Sequence, residues 1–184
     1  MPLLPSDALR GNNYRPPIPF GIGSRQWLVS RSNNHSEAKG TYMKLREDAK
    51  WSLVIPTSMG IRICPPQGEP VQTARTFQMQ VTSAESNVGC VASYLGQPVK
   101  ILTNFIKGSP ISTMIKADLR SRFMDYEGPE LEQGGAWGYR HQFNIADMGY
   151  GNRGARVWND RAGEVGLALN AADFDLDRIL GEEG

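Results

Sequence analysis

The stretch from residue 82 to residue 105 reads TSAESNVGCVASYLGQPVKILTNF, and it places a helix pattern directly before a strand pattern. Thr82, with Glu85 three residues later, forms a capping box that marks a helix start. Apolar residues then recur at helical spacing and predict the buried face of that helix, namely Val88, Val91, Ala92 and Leu95. Gly96 ends the helix. The run 98–105 is apolar nearly throughout, which predicts a strand covered on both faces.

The same alternation continues on both sides of this stretch. Strands are predicted at 53–55 and 61–63, separated by a bend at 56–58, and a looser alternation predicts a strand over 71–82. Downstream, Ser109 as N-cap and Pro110 at the first position open a second helix. Its predicted apolar face consists of Ile111, Met114, Ile115, Leu119 and Phe123. Strands and helices that alternate over short links predict a parallel sheet and an α/β fold class.

A different pattern follows after residue 136. Two strands are predicted at 137–145 and 155–159, joined by a glycine-rich turn at 149–152, and a short helix is predicted over 170–180. Three polar residues alternate along the first of these strands and share one face, namely Arg140, Gln142 and Asn144. That face either meets solvent or covers a ligand, and the residues alone favour solvent. His141 alternates away from it and is expected to pack inside.

Composition excludes several classes of function. The 184 residues carry 20 basic and 19 acidic side chains, a formal charge of +1, which gives no electrostatic footprint for nucleic acid or an anionic membrane. No apolar run reaches the ~20 residues of a membrane helix, and no secretory signal pattern is present, so a cytoplasmic location is expected. Cys64 and Cys90 are isolated, which argues against a disulfide framework or a zinc site.

Residues 1–50 differ from the rest and are expected to form an N-terminal extension. The segment is rich in Pro, Asn, Ser, Gly and Arg, a composition that favours an extended arm over packed helix or sheet. The arm could make an oligomer contact through the run Trp27-Leu28-Val29, or lie on its own domain. The second interpretation is favoured.

The order of these features resembles the phosphofructokinase-B, or ribokinase-like, family of sugar kinases. The resemblance begins at SAESNVGCVASYLG (residues 83–96), continues through strand 99–104, the loop 107–110 and the following helix, and covers roughly residues 51–184. RVWNDRA at 156–162 is similar to a segment typical of 2-keto-3-deoxygluconate kinases, and residues 172–177 fit the segment that follows in those kinases. The resemblance implies a partial ribokinase-like fold, with a parallel sheet, flanking helices and a small β lid at about 137–160.

The resemblance also implies substrate contacts over the carboxyl ends of the parallel strands. Asn87 would hydrogen-bond a substrate hydroxyl, and the backbone at Ser83-Ala84 would face the sugar. Arg140 and Gln142 would lie on the lid strand. Arg140 could pair with the carboxylate of a sugar acid, and Arg161 is a second candidate for that carboxylate.

The family's catalytic Gly-Ala-Gly-Asp motif does not occur in the sequence, so no catalytic residue is assigned. ATP and Mg²⁺ would belong to the complete kinase, and we expect this chain alone to bind neither and to have no kinase activity. The triplet Asp173-x-Asp175-x-Asp177 is not a calcium loop, because Arg178 and Gly184 stand where glycine and glutamate are required. No metal ligands are assigned.

The favoured function is therefore the sugar-binding and lid part of an ATP-dependent carbohydrate kinase, acting on a sugar acid such as 2-keto-3-deoxygluconate. Full activity would need a C-terminal half, in the same chain or in another. Two alternatives stay open. The chain could be a non-catalytic sugar-binding or dimerisation module that forms a homo-oligomer through the β lid. It could also be a truncated gene product without a selected function.

Overall fold

The computed structural model describes residues 48–183, so the predictions for the N-terminal arm, including Trp27-Leu28-Val29, lie outside the described residues. In chain order the strands and the two α-helices are β1 (Leu53–Pro56), β2 (Gly60–Cys64), β3 (Gln78–Thr82), α1 (Ala84–Tyr94), β4 (Val99–Leu102), β5 (Phe105–Ile106), α2 (Pro110–Ser121), β6 (Asp125–Glu127), β7 (Glu130–Leu131), β8 (Gln142–Asp147) and β9 (Arg156–Asp160). Short helical turns span Pro66–Gly68, Val165–Ala168, Ala171–Asp173 and Asp177–Glu182.

The body of the structure is a three-stranded parallel sheet in the order β1-β4-β6. Leu53 pairs with Val99, and Lys100 pairs with Asp125. Helix α1 packs on β1 and β4, whereas α2 packs on β6. All four residues of β4 are buried, as a strand covered on both faces requires. The α/β class, the parallel sheet and its flanking helices are confirmed. The hydrophobic core is a cluster of buried apolar side chains that comprises Ile55, Met59, Val81, Val99, Ile101, Phe105, Ile115, Leu119 and Met124.

Helix α1 packs with a different face from the predicted one. Its buried residues are Ser86, Gly89 and Ser93, whereas Val91 and Leu95 are 63% and 75% exposed. The prediction that Val88, Val91 and Leu95 are buried is wrong, although Ala92 does pack against the core. The reason is steric: a Cβ on Gly89 would lie 2.8 Å from Ile55 Cδ1, so the helix approaches the sheet on its small residues.

The two helix starts are close to those predicted. The N-cap of α1 is Ser83 rather than Thr82, and its hydroxyl accepts a hydrogen bond from the Ser86 amide at 3.2 Å. In α2, Ser109 is the N-cap and Pro110 follows, as predicted. Ile115 and Leu119 are buried, but Phe123 lies beyond the helix end with a φ of 58° and an exposed ring, so its predicted place on the buried face is wrong.

A second sheet of four strands has the order β3-β2-β8-β9. The predicted antiparallel pair is confirmed as β8 and β9, but β2 joins β8 in parallel and β3 extends the sheet further. Strand β8 begins at Gln142 rather than at Trp137, whose side chain is fully exposed. The strand predicted over 71–82 is restricted to β3. A pair of parallel two-residue strands, β5 and β7, completes the sheets of the described part.

The two faces of this second sheet differ in polarity. Arg62 and Gly60 lie opposite Asn144 and Gln142 on one face, and apolar side chains alternate onto the other. Gln142 and Asn144 are only 2% and 8% exposed, so the expectation that this polar face meets solvent is wrong for them. A strand's period of two assigns residues to one face, but it does not reveal what covers that face.

The last described residues return to the start of the parallel sheet. The predicted helix over 170–180 is instead two short turns, Ala171–Asp173 and Asp177–Glu182. The carboxylate of Glu183 accepts hydrogen bonds from Trp51 Nε1 at 2.9 Å and Lys50 Nζ at 3.1 Å. Arg178 binds Glu127 of β6 at 2.6 Å. Neither helix of the described part is long and apolar enough to cross a membrane.

Candidate functional site

A polar pocket of about 320 Å³ lies between the second sheet and the two helices. Strands β2 and β3 form one side, the first turns of α1 another, and α2 the third. The lining residues are Arg62, Met79, Gln80, Val81, Thr82, Asn87, Met114, Asp118 and Arg122. This volume falls at the lower end of the ~300–1,000 Å³ range of small-molecule sites. Amide, hydroxyl, carboxylate and guanidinium groups therefore converge on one space that can hold a small polar molecule.

Arg62 supplies a positive charge to this pocket that no described residue neutralises. It lies in the middle of β2, with Gln80 opposite on β3 and Asn144 opposite on β8. Its Nε is buried, and it has no hydrogen-bond partner among residues 48–183. The amide oxygen of the buried Asn144 also has no partner there. Buried polar groups without partners are uncommon in folded proteins, and such groups often lie where a ligand binds.

The opposite side of the pocket carries a charge pair. Asp118 and Arg122 lie one turn apart on α2, and Arg122 Nε is 2.9 Å from Asp118 Oδ2. The pair is partly exposed and contributes little to stability, as is usual for exposed pairs of this spacing. Because Asp118 already neutralises Arg122, the pocket as a whole keeps the single positive charge of Arg62.

Asn87 reaches the pocket because of the way in which α1 begins. Ser83 caps the helix, and Asn87 is four residues later, exposed, at the end of the first turn. The cap is reinforced by Thr57 and Glu85: the Ser83 and Thr57 hydroxyl oxygens lie 2.8 Å apart, and both donate to Glu85 Oε2 at 2.9 Å. The side chain of Ser83 is thus occupied by the cap, and Ala84 is exposed.

These contacts also keep Glu85 ionised. A hydrogen bond from its own backbone amide, followed by those from the Thr57 and Ser83 hydroxyls, lowers the pKa of the Glu85 carboxyl. The nearby Arg161 adds a smaller effect in the same direction. A fixed negative charge therefore lies beside the carboxyl end of β1 at neutral pH.

A second group of polar atoms lies where β1 and β4 end. Asn104, two residues after β4, donates from Nδ2 to the Val165 carbonyl at 3.3 Å, and its Oδ1 has no partner among the described residues. Three further buried side-chain oxygens share that condition, namely Ser58 Oγ, Thr103 Oγ1 and Glu164 Oε2. Open α/β sheets bind ligands at the carboxyl ends of their strands, so this unmet hydrogen-bonding capacity lies where a ligand is expected.

The six residues proposed from the sequence do not all meet in one place. Asn87 lines the pocket, and Gln142 is buried against Gly60 in the second sheet, where a Cβ on Gly60 would lie 2.0 Å from Gln142 Cγ. Arg140 donates to the Ala162 carbonyl at 2.7 Å and pairs with Asp160. Arg161 lies 3.6 Å from Glu164. Neither arginine lines the pocket, and both already have an acidic neighbour.

Sequence reasoning missed Arg62, Thr57, Asn104 and Glu164. Thr57 lies in the bend after the strand predicted at 53–55, and Asn104 lies near the end of the strand predicted over 98–105. The position of strand ends was a signal that could have identified them. Arg62 occupies a polar position between Ile61 and Ile63, which alternation alone assigns to a wet face. Nothing in the local sequence around Glu164 distinguishes it from an exposed surface acid.

The comparisons with known proteins agree with the fold. No protein-family model matches the sequence. Over 61 residues the chain is 38% identical to 2-dehydro-3-deoxygalactonokinase of Haloferax volcanii, a match that covers 33% of this chain and 19% of that protein. The chain therefore spans about a fifth of this curated relative.

Solved structures match a larger part of the chain. The 2-dehydro-3-deoxygluconokinase of Thermotoga maritima superposes with a TM-score of 0.56 at 20% identity, covering 70% of this chain and 37% of that one. A PfkB family carbohydrate kinase of Listeria grayi superposes with a TM-score of 0.56 at 22% identity, covering 70% of this chain and 38% of that one. A PfkB protein of Polaromonas superposes with a TM-score of 0.56 at 17% identity, covering 67% of this chain and 40% of that one.

These likenesses confirm a partial ribokinase-like fold, and the resemblance to PfkB sugar kinases is confirmed at the level of fold. The chain corresponds to about two fifths of each matched kinase structure. The six proposed site residues, the domain boundary near residue 50 and the lid role of the second sheet stay predictions.

Proposed function

We propose that this chain forms the sugar-binding part of a kinase that acts on a 2-keto-3-deoxy sugar acid. The observation that carries the proposal is the pocket that Asn87 lines, in a chain whose fold is that of sugar kinases. The relatives named above act on 2-dehydro-3-deoxygalactonate and 2-dehydro-3-deoxygluconate, which differ only in the configuration of one hydroxyl. The shared chemical class is a six-carbon acid with a keto group at C2 and no hydroxyl at C3.

Under this proposal the amide of Asn87 hydrogen-bonds a sugar hydroxyl, and the backbone at Ser83-Ala84 faces the sugar. The second sheet acts as a lid, and its buried Gln142 belongs to the face that covers the substrate. Arg140 and Arg161 lie at the far end of that sheet and are candidates for the acid group. A guanidinium carries five N–H donors, so either arginine can bind a carboxylate without breaking its ion pair with Asp160 or Glu164.

We further propose that phosphoryl transfer, with ATP and Mg²⁺, is performed by the complete kinase in the cytoplasm. Residues 48–183 contain no group of three His, Cys, Asp or Glu side chains arranged to hold a metal ion. Under this proposal no step through Mg²⁺–ATP is assigned to the described residues. Their part is to bind and orient the sugar and to exclude water.

The test is calorimetric titration of the 184-residue chain with 2-keto-3-deoxygluconate, 2-keto-3-deoxygalactonate and glucose. We expect saturable binding of at least one acid and weaker binding of glucose. Asn87→Ala should weaken acid binding about 10-fold, because one buried hydrogen bond to the ligand is lost. Asn152→Ala, in an exposed turn away from the pocket, is the matched control. Absence of binding to every sugar acid would refute the proposal.

A second candidate function is assembly through the second sheet. Its apolar face carries Ile63, Phe143 and Ile145, all partly exposed, with Met79 and Trp158 about half exposed on the flanking strands. Within residues 48–183, strands β3 and β9 are the edges of that sheet. Such a face with free edges suits pairing with a second copy of the chain. Light scattering with and without sugar acids separates the two functions, since a pure assembly module forms oligomers that sugar does not change.

A further inference from the structure

Arg62 differs from the other two arginines considered for the acid group. Arg140 and Arg161 each have a carboxylate neighbour, Asp160 and Glu164. Arg62 has no acidic partner among residues 48–183, and its buried Nε donates to no described atom. A buried guanidinium N–H without an acceptor is costly, and an oxyanion is the acceptor that satisfies it best. The geometry therefore favours Arg62 as the residue that receives a negative ligand group.

The surroundings of Arg62 also fit such a group. Gln80 and Asn144 flank it on the neighbouring strands, so amide side chains stand on both sides of the guanidinium. Asn144 is 8% exposed, and its Oδ1 has no partner in the described part of the chain. An amide oxygen cannot itself bind an anion, but it can accept a hydrogen bond from a ligand hydroxyl next to the acid group.

The charge of the pocket selects among anions. Asp118 already neutralises Arg122 on the opposite side, so Arg62 leaves the pocket with one net positive charge. A single carboxylate matches that charge, whereas a phosphate group with nearly two negative charges would leave one of them uncompensated. Asn87 and Thr82 line the same pocket and offer partners for hydroxyl groups. The pocket thus suits a monocarboxylic acid that also carries hydroxyls.

We propose that Arg62 is the residue that makes this site selective for sugar acids over neutral sugars, by pairing its guanidinium with the ligand carboxylate. This inference rests on the proposed function and adds a specificity-determining residue to it. Arg140 and Arg161 then keep their ion pairs within the second sheet and its following loop when the ligand binds.

The test compares two ligands that differ only in charge: 2-keto-3-deoxygluconate and its neutral carboxamide. Calorimetry on the full chain measures both dissociation constants. Arg62→Gln should weaken binding of the acid about 10- to 100-fold, the range for a charge-assisted hydrogen bond, and leave binding of the carboxamide within about 2-fold. Arg62→Lys keeps the charge but not the planar fork of N–H donors, so the affinity of this variant for the acid should fall less, by about 3- to 10-fold.

One variant serves as the control, and two others test the arginines that compete with Arg62 for the acid group. Arg156→Gln removes an exposed arginine of β9 and should change the dissociation constant of neither ligand. Arg140→Gln and Arg161→Gln should weaken acid binding by less than about 3-fold; a larger loss there than in Arg62→Gln would overturn the proposal. The melting temperature of each variant shows that it folds. If Arg62→Gln does not fold, the ratio of the acid and carboxamide dissociation constants in Arg62→Lys tests the proposal instead, and a ratio equal to that of the wild type would overturn it.

The outcomes separate this inference from the proposed function. If the wild-type chain binds the acid and Arg62→Gln binds it equally well, Arg62 is not the specificity residue and the proposed function stands. If Arg62→Gln weakens acid and carboxamide to the same extent, Arg62 only supports the pocket and the proposal is wrong. If the wild-type chain binds no sugar acid, both fail together.

Discussion

Ser112 Oγ lies 2.8 Å from His141 Nε2 in the interior of the structure, and this contact joins helix α2 to the residue that precedes β8. The other ring nitrogen, Nδ1, is 3.0 Å from the Met59 carbonyl, which can only accept a hydrogen bond. Nδ1 must therefore carry the proton, and in the neutral ring Nε2 and the Ile106 carbonyl, 2.9 Å from Ser112 Oγ, are the two acceptors for the single serine hydroxyl proton. One buried imidazole thus connects the α/β body, the segment after β1 and the second sheet.

The burial of His141 predicts a specific pH dependence of stability. Desolvation is the main effect, and it lowers the pKa of His141 below its usual 6.5 despite the opposing bond to Met59. At pH values between the lowered pKa of His141 in the folded protein and 6.5, the unfolded chain binds more protons than the folded one. The free energy of unfolding should therefore fall as pH decreases below about 6.5. Urea unfolding at pH 7.5, 6.5 and 5.5 measures this slope. His141→Gln should reduce the slope; an unchanged slope in that variant would assign it to other groups.

Glu183 predicts a second dependence at lower pH. The hydrogen bond from Trp51, followed by that from Lys50, lowers the pKa of Glu183 from 4.5 to about 2. A carboxyl whose pKa is lower in the folded protein than in the unfolded chain stabilises the fold at pH values above the unfolded pKa. That contribution is lost as pH falls from about 4.5 towards 2. Glu183→Gln should therefore lower the melting temperature at pH 7 and flatten its decline between pH 5 and 3. Glu182→Gln, one residue earlier and exposed, is the control and should match the wild type.

The packing of α1 predicts that substitutions on its small-residue face destabilise the protein more than substitutions on the apolar face that the sequence predicted to be buried. Gly89→Val should destabilise the protein by about 1–3 kcal/mol, because a side chain there meets Ile55, Val99 and Met124 at 2.8–3.2 Å from the Cβ. Val91→Ser should change the stability by no more than about 0.5 kcal/mol, because Val91 is exposed. Chemical denaturation of the two variants measures both values. A larger loss from Val91→Ser than from Gly89→Val would restore the face predicted from the sequence.

The cap of α1 gives the last prediction. Ser83→Ala removes the hydroxyl that accepts from the Ser86 amide and donates to Glu85, so it should cost about 1–2 kcal/mol. Because Asn87 is positioned by the same first turn, sugar-acid affinity should fall as well. Ser121→Ala, at the exposed end of α2, removes a hydroxyl without a cap role and should be nearly neutral. Equal effects of the two substitutions would contradict the role of Ser83.

Local patterns predicted β1, β4 and both helices of the body, but not β6. The start of α2 followed from Ser109 and Pro110, whose effects act within one turn of helix. The run at β4, apolar except for Lys100, predicted a strand buried on both faces, and the burial of all four residues agrees. The candidate site could be predicted only in part: Asn87 does line a pocket, whereas its most prominent charge, Arg62, was overlooked.

The sequence by itself determined the alternation of β1, α1, β4 and α2, the α/β class and the likeness to sugar kinases, because these depend on side-chain period and on capping residues close together in the chain. Only the tertiary structure decided that α1 packs through Gly89 rather than Val91, and that Arg62 faces a pocket with α2 on its far side. Both depend on how closely distant segments approach. That distance is set by the packing of the whole core, and no local pattern encodes it.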